Sequence, residues 1–234
     1  MSLSSAGVSG GRRRFLRRFM IRTILFDLDG TLLNTLEDLT DSVNYMLREY
    51  GYPERTIDEV RAFVGNGVRL LVERALPAAE KARTDECLET FSAHYDAHKA
   101  DKTRPYDGII DMLRAVKAAG YKTAVVSNKY EAAVKALAAE EFCGLLDAAV
   151  GERAGRKAKP APDGVYEAMR QLGADKATTV YVGDSDVDVL TAKNAGLAMI
   201  GVSWGFRSRA MLEKEGADVI VDAPAEILSA VQRL

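Results

Sequence analysis

Cysteine is scarce in this 234-residue chain: there are two, Cys87 and Cys143. Their spacing is not that of a thiolate metal site, and nothing about it requires a disulfide. They fit free thiols in a reducing compartment, which points to the cytoplasm. Histidine is equally scarce. His94 and His98 lie four apart on an expected helix, a zinc-like spacing, but no further ligand accompanies them and they read as an ordinary packed or exposed pair. No apolar run is long enough to span a bilayer. Charge of one sign is also missing: the formal net charge of -2 gives no general affinity for nucleic acid or an anionic membrane. The expected partner is a small molecule, and the expected assembly a monomer or homodimer. Acid is absent only locally. No Asp or Glu precedes Asp27, and residues 11–22 read GRRRFLRRFMIR. That composition suits an organelle transit peptide or a polyanion-binding tail. The simpler reading is an N-terminal extension, residues 1–20, outside the fold, with Met20 as an alternative start.

What is present begins with IRTILF, residues 21–26, β-branched and aromatic enough for a buried strand. It runs into Asp27 and Asp29, which share a face because strand side chains alternate, and Gly30 lets the chain turn. Two carboxylates that close raise each other's pKa unless a cation sits between them. A metal site, a nucleophile with an acid/base partner, or both, would explain such a pair. Residues 34–101 then read as helical: Leu36, Leu39, Val43, Met46 and Leu47 recur at helical spacing, and Gly51 to Pro53 form a break. Thr56 and Glu59 make a possible capping box. Gly65-Asn66-Gly67 separates two helical stretches, and another helix spans 84–98. From Arg104 onward, strands alternate with helices, which argues a parallel sheet covered on both faces. The expected fold is therefore α/β, a doubly wound Rossmann-like parallel sheet built from 21–33 and 102–234, with an inserted all-helical cap at 34–101.

The polar residues collect where apolar strands stop. ILFDLD delivers Asp27 and Asp29, TAVVSN delivers Ser127 and Asn128, and TVYVGDSDVD delivers Asp184, Asp186 and Asp188. In a parallel sheet these ends open on one edge, where ligands bind. Lys159, in KAKPAP, is placed to reach the same edge. Carboxylates without sulfur or histidine suit a hard cation such as Mg2+. The lysine, the hydroxyl and the backbone N–H groups after Asp27 suit a phosphoryl dianion. Asp186 reads as a solvent-facing or capping residue. Gly65, Asn66 and Gly67 let backbone N–H groups approach an anion. Arg69 and Arg74 follow, suited either to a substrate carboxylate or to a solvated helix face.

DLDGT, SNK, KP and GDSDVD, in this order, resemble the four motifs of the haloacid dehalogenase superfamily, and the helical insertion after the first resembles its small helical cap. Within the superfamily, VGNGVRLLVERALP and VGDSDVDVLTAKNAG are similar to the phosphoglycolate phosphatase group. Asn34-Thr35 departs from the Asp-Ser common there, at the entrance to the cap. The resemblance implies a Mg2+-dependent phosphatase acting on a small phosphorylated metabolite. Asp27 would be the nucleophile and Asp29 the general acid/base. Asp27, Asp29 through its backbone carbonyl, and Asp184 would hold the metal. Lys159 would neutralise charge, and Thr31, Ser127 and Asn128 would join the cap glycines in binding substrate. Asp188 would orient the metal's surroundings. Pyrophosphatase, sugar-phosphate phosphatase, phosphomutase and phospho-accepting signalling readings stay open beside it.

Overall fold

A computed structural model describes residues 20–234; the arginine-rich extension read at 1–20 lies outside them except for Met20. β1 (Thr23–Phe26) is followed by a two-residue strand, β2 (Leu33–Asn34), and then four helices: α1 (Leu36–Glu49), α2 (Ile57–Phe63), α3 (Val68–Ala75) and α4 (Thr84–His98). β3 (Arg104–Pro105) returns the chain to the sheet region. There α5 (Ile109–Ala118), β4 (Lys122–Tyr130), α6 (Glu131–Phe142), β5 (Ala148–Glu152) and α7 (Asp163–Leu172) follow. β6 (Thr179–Gly183), α8 (Asp186–Ala195), β7 (Ala198–Val202), α9 (Arg209–Glu215), β8 (Val219–Val221) and α10 (Ile227–Arg233) complete it.

The main sheet has six strands in the order β5-β4-β1-β6-β7-β8, all parallel. Its strands alternate in what they bury. Ile24, Phe26, Val125, Val182 and Ile200 pack beneath α5, α6 and α10. Leu25, Ala124, Val126, Tyr181 and Met199 pack beneath α7, α8 and α9. Both faces are covered, which is why these strands are apolar throughout. The chain runs outward from β1 through β4 to β5 and then returns to build β6, β7 and β8 on the other side. The order reverses between β1 and β6, the position at which such sheets open a crevice. Phe26 lies opposite both Val125 and Val182, so β1 and β6 end nearly level while β4 runs on past them to Tyr130.

α1 to α4 have a core of their own, with Leu39, Val43, Met46, Val60, Leu71, Val72 and Phe91 buried together. Thr56 and Glu59 form the expected capping box at α2. The expected helical insertion is thus observed. Its base holds a feature that the periodicity of the sequence did not announce: β2 and β3 pair antiparallel, Leu33 with Pro105 and Asn34 with Arg104. Buried Asp38, in the first turn of α1, fastens the exit to the entrance by accepting from the Lys102 and Thr103 amides at 2.8–3.1 Å. α9 was also not expected. It is seven residues long, starting from a Ser208 cap, too short for its periodicity to stand out.

Candidate active site

The crevice beyond β1 and β6 is built from a tight turn. After Asp27 the chain bends so that the Thr31, Leu32 and Leu33 amides all donate to the Leu28 carbonyl. Gly30 takes φ +89°, and a Cβ there would lie 2.5 Å from Asp184 Oδ2. The turn and the β6 acid are therefore pressed together in a way only glycine permits. Asp184 is anchored on both oxygens: Thr31 Oγ1 donates to Oδ1 at 3.1 Å and the Phe206 amide to Oδ2 at 2.7 Å. Thr31 is wholly buried and does not line the cleft. Here it positions Asp184 rather than touching the open space where a substrate would sit.

Lys159 ties the acids together. Its Nζ lies 2.8 Å from Asp27 Oδ1, 2.8 Å from Asp188 Oδ1 and 3.1 Å from the Tyr181 hydroxyl. Asp188 is saturated, because its Oδ2 also accepts from the Ser185 amide and hydroxyl. Asp27 Oδ1 accepts from the Leu28 amide, while its Oδ2 has no hydrogen bond among the described residues. Three buried carboxylates thus face one ammonium. Burial, then the Asp188 charge, pushes Asp27 well above the usual carboxylate range against the pull of Lys159. Burial and Asp188 likewise push Asp184 up to about 7. Burial disfavours the Lys159 charge, but Asp188 and Asp27 outweigh it and hold the amine protonated.

That excess of negative charge is a test of metal fit. Oxygens of Asp27, Asp184 and Asp188 lie within 4.8 Å of one another. Asp188 has no lone pair left to give, whereas Asp27 and Asp184 do. The donors are all oxygen, and one more positive centre is needed to offset the charge. The residues fit a hard divalent cation such as Mg2+, bound by Asp27 and Asp184 with Asp188 held back on Lys159.

The remaining predicted residues divide. Ser127 lines the cleft beside Asp27, as do Gly65 and Gly67 from the loop between α2 and α3. Asn128 lines it too, but its side chain is committed: Nδ2 donates to the Lys159 and Gly65 carbonyls, and Oδ1 accepts from the Lys159 amide at 2.6 Å. It joins Lys159 to the cap. Asn66 is absent from the cleft lining and instead accepts from Arg74, which also holds the Phe63 carbonyl. Arg69 pairs with exposed Asp85. His94 bonds Ser42 and stacks on Tyr45, and His98 pairs with Asp101; among the described residues neither belongs to a metal-like cluster.

Two cleft residues were missed by sequence reasoning. Lys129, next after the Ser-Asn pair, is buried and its Nζ lies 2.7 Å from Asp29 Oδ1, under the Tyr95 ring of α4. Burial disfavours its charge, but Asp29 and Tyr95 prevail and raise it above the ordinary lysine range. Arg207, beyond β7, donates to the Arg61, Ala62 and Val64 carbonyls at 2.7–3.3 Å, and its Nε lies 3.5 Å from Asp186. It caps the C-terminus of α2 from the sheet side. The signal for Lys129 was its place at a strand end; for Arg207 there was none, since its partners are backbone atoms distant in sequence.

A doubly wound sheet carrying an acid cluster with one lysine at its switch point, beneath a helical cap, defines a class of hydrolase. The model of the haloacid dehalogenase-like hydrolases matches residues 24–202. A phosphoglycolate phosphatase of Mesorhizobium japonicum is 38% identical over 221 residues, covering 90% of this chain and 95% of the relative. One from Aquifex aeolicus is 34% identical over 209 residues, covering 89% and 95%. Among solved structures, a protein assigned as a phosphoglycolate phosphatase from Lactobacillus delbrueckii subsp. bulgaricus superposes with a TM-score of 0.85 at 36% identity, covering 91% of this chain and 99% of that one. The chain belongs to the haloacid dehalogenase-like hydrolase family.

Proposed function

We propose that this hydrolase cleaves small phosphomonoesters through Asp27, with 2-phosphoglycolate preferred. The observation that carries the reading is the split use of the Asp27 carboxylate. One oxygen is held by Lys159 and the Leu28 amide, the other is unengaged among the described residues, and the residue lines a cleft with Ser127 and Asp29. That is the posture of an oriented nucleophile. Asp27 attacks phosphorus and the bond to the leaving oxygen breaks, while Asp29 gives that oxygen a proton. Water then attacks the aspartyl-phosphate, Asp29 takes its proton, and phosphate leaves with Asp27 restored. Lys159 stays against Asp27 throughout, and Ser127 donates to a phosphoryl oxygen. Mg2+, held by the Asp27 carboxylate, the Asp29 backbone carbonyl and Asp184, would supply positive charge against the transferred group.

The preference for 2-phosphoglycolate rests on the relatives, which carry that name at up to 38% identity. The cap, residues 34–101, closes over the site and keeps water out, hinged at the β2–β3 ribbon. The chain acts on a soluble metabolite in the cytoplasm, as a monomer or homodimer. The test is phosphate release from 2-phosphoglycolate, pyrophosphate, several sugar phosphates and a nucleotide, with Mg2+ and with EDTA. Metal-dependent release led by phosphoglycolate is the expected result. Another leader would keep the chemistry and replace the substrate, and no release at all would remove the phosphatase reading.

A further inference from the structure

Three cationic side chains line the cleft among the described residues: Lys159, Arg207 and Lys129. Two are spoken for. Each of the three Lys159 donors has a partner, in Asp27, Asp188 and Tyr181. The Arg207 guanidinium is spread over three carbonyls of the cap and Asp186. Lys129 differs. Its ammonium donates to Asp29 Oδ1 at 2.7 Å. Its next neighbour is the Tyr95 ring, centred 4.8 Å away. The Tyr95 hydroxyl, buried on a residue only 4% exposed, has no hydrogen-bond partner among the described residues beyond this ammonium. An ammonium with a donor to spare and a buried hydroxyl with no other partner form an incompletely satisfied polar site.

Its position gives it a use. Lys159 stands on the phosphoryl side, against Asp27. Lys129 stands beside Asp29, the residue proposed above to protonate the leaving oxygen. The cap wall there is apolar, formed by Leu39, Val64, Val68 and Leu71, so a charge in it is weakly screened. We infer that Lys129, roofed by Tyr95, is the specificity-determining residue that binds an anionic substituent, a carboxylate on the carbon next to the ester oxygen, of the leaving alcohol. This rests on the phosphatase reading above and deepens it by assigning the recognition of the acid to a core lysine, rather than to the cap arginines Arg69 and Arg74. Neither of those lines the cleft.

The test separates binding from turnover. 3-Phosphonopropionate and propylphosphonate are non-hydrolysable, of similar length, and differ in the carboxylate. Each is titrated calorimetrically with Mg2+ into the wild-type protein, Lys129→Met and Lys129→Gln, the last able to keep a hydrogen bond to Asp29 without the charge. A charge-assisted hydrogen bond predicts that the wild type favours the carboxylate analogue by about tenfold or more. Both variants should bring that ratio to within about twofold, and Lys129→Arg should restore part of it. A wild type that binds the two analogues alike, or variants that keep the preference, would overturn the assignment. So would weakening of both analogues in equal measure, which is what a lysine acting only to position Asp29 would produce. Because the readout is binding, it stands apart from whether phosphate is released in the substrate panel.

Discussion

Asp27 and Lys159 show how single residues set the site's chemistry. The Asp27 carboxylate is buried among like charges, so its anion persists only through Lys159 and whatever cation joins it. Asp27→Asn keeps the shape and both hydrogen-bonding positions but removes the proposed nucleophile. Turnover should fall by about 10^4-fold or more while the circular dichroism spectrum stays that of the wild type. Near-wild-type phosphate release would remove Asp27 from its role. Lys159→Met acts differently, on stability. It leaves Asp27 and Asp188 facing each other without compensation, at a cost of about 3–5 kcal/mol in urea unfolding at neutral pH with chelator. Since burial and Asp188 already raise Asp27, lowering the pH protonates it first in the folded state, and the deficit of the variant should shrink toward pH 5. A deficit constant with pH would mean that the lysine serves packing alone. These two residues were legible in the sequence because each sits where an apolar strand or a Lys-Pro loop meets the sheet edge. Thr31, Asn128 and Asn66 were legible as polar residues near that edge, but not in their partners. Nothing in one dimension says that Asn128 will spend its amide on Lys159 and Gly65.

Among the elements, the sheet and its helices followed from periodicity, since long apolar strands and amphipathic helices declare themselves over many residues. Short elements did not: the β2–β3 ribbon has two residues a side, and its pairing spans some seventy residues of intervening helix. Yet that ribbon and the Arg207 latch, together with Asp38 and Asn128, join cap to core. Arg207 satisfies carbonyls at the end of α2 that have no helical partner and meets the negative end of the helix dipole. Arg207→Ala should therefore loosen the cap while leaving the acid cluster in place. Charge-assisted bonds of this kind contribute about 1.5–3 kcal/mol, so KM should rise by roughly tenfold or more, with a smaller change in kcat. Trypsin cleavage between α4 and β3 should also quicken. Unchanged KM and unchanged cleavage would show that the cap holds closed through Asn128 and its apolar contacts alone.

At the scale of the molecule, a chain with a formal net charge of only -2 concentrates uncompensated negative charge at one buried point. Three hydrophobic clusters, two against the sheet and one in the cap, surround that point and hold it together. The consequence is a linkage between stability, pH and metal. Asp184 is raised from an ordinary 3.8 to about 7 in the fold. Between those values the folded chain binds more protons than the unfolded one, so without metal its stability falls as pH rises through that window. A divalent cation reverses the sense, since it binds the ionised carboxylates and must displace their protons at low pH. At about a hundredfold excess over its Kd, Mg2+ should raise Tm by roughly 5–10 °C at pH 8, and by clearly less at pH 5. Thermal unfolding at the two pH values, with Mg2+ and with EDTA, decides it. Equal increments at both pH values would place the ion away from these carboxylates, and the loss of the pH dependence in Asp184→Asn would place it among them.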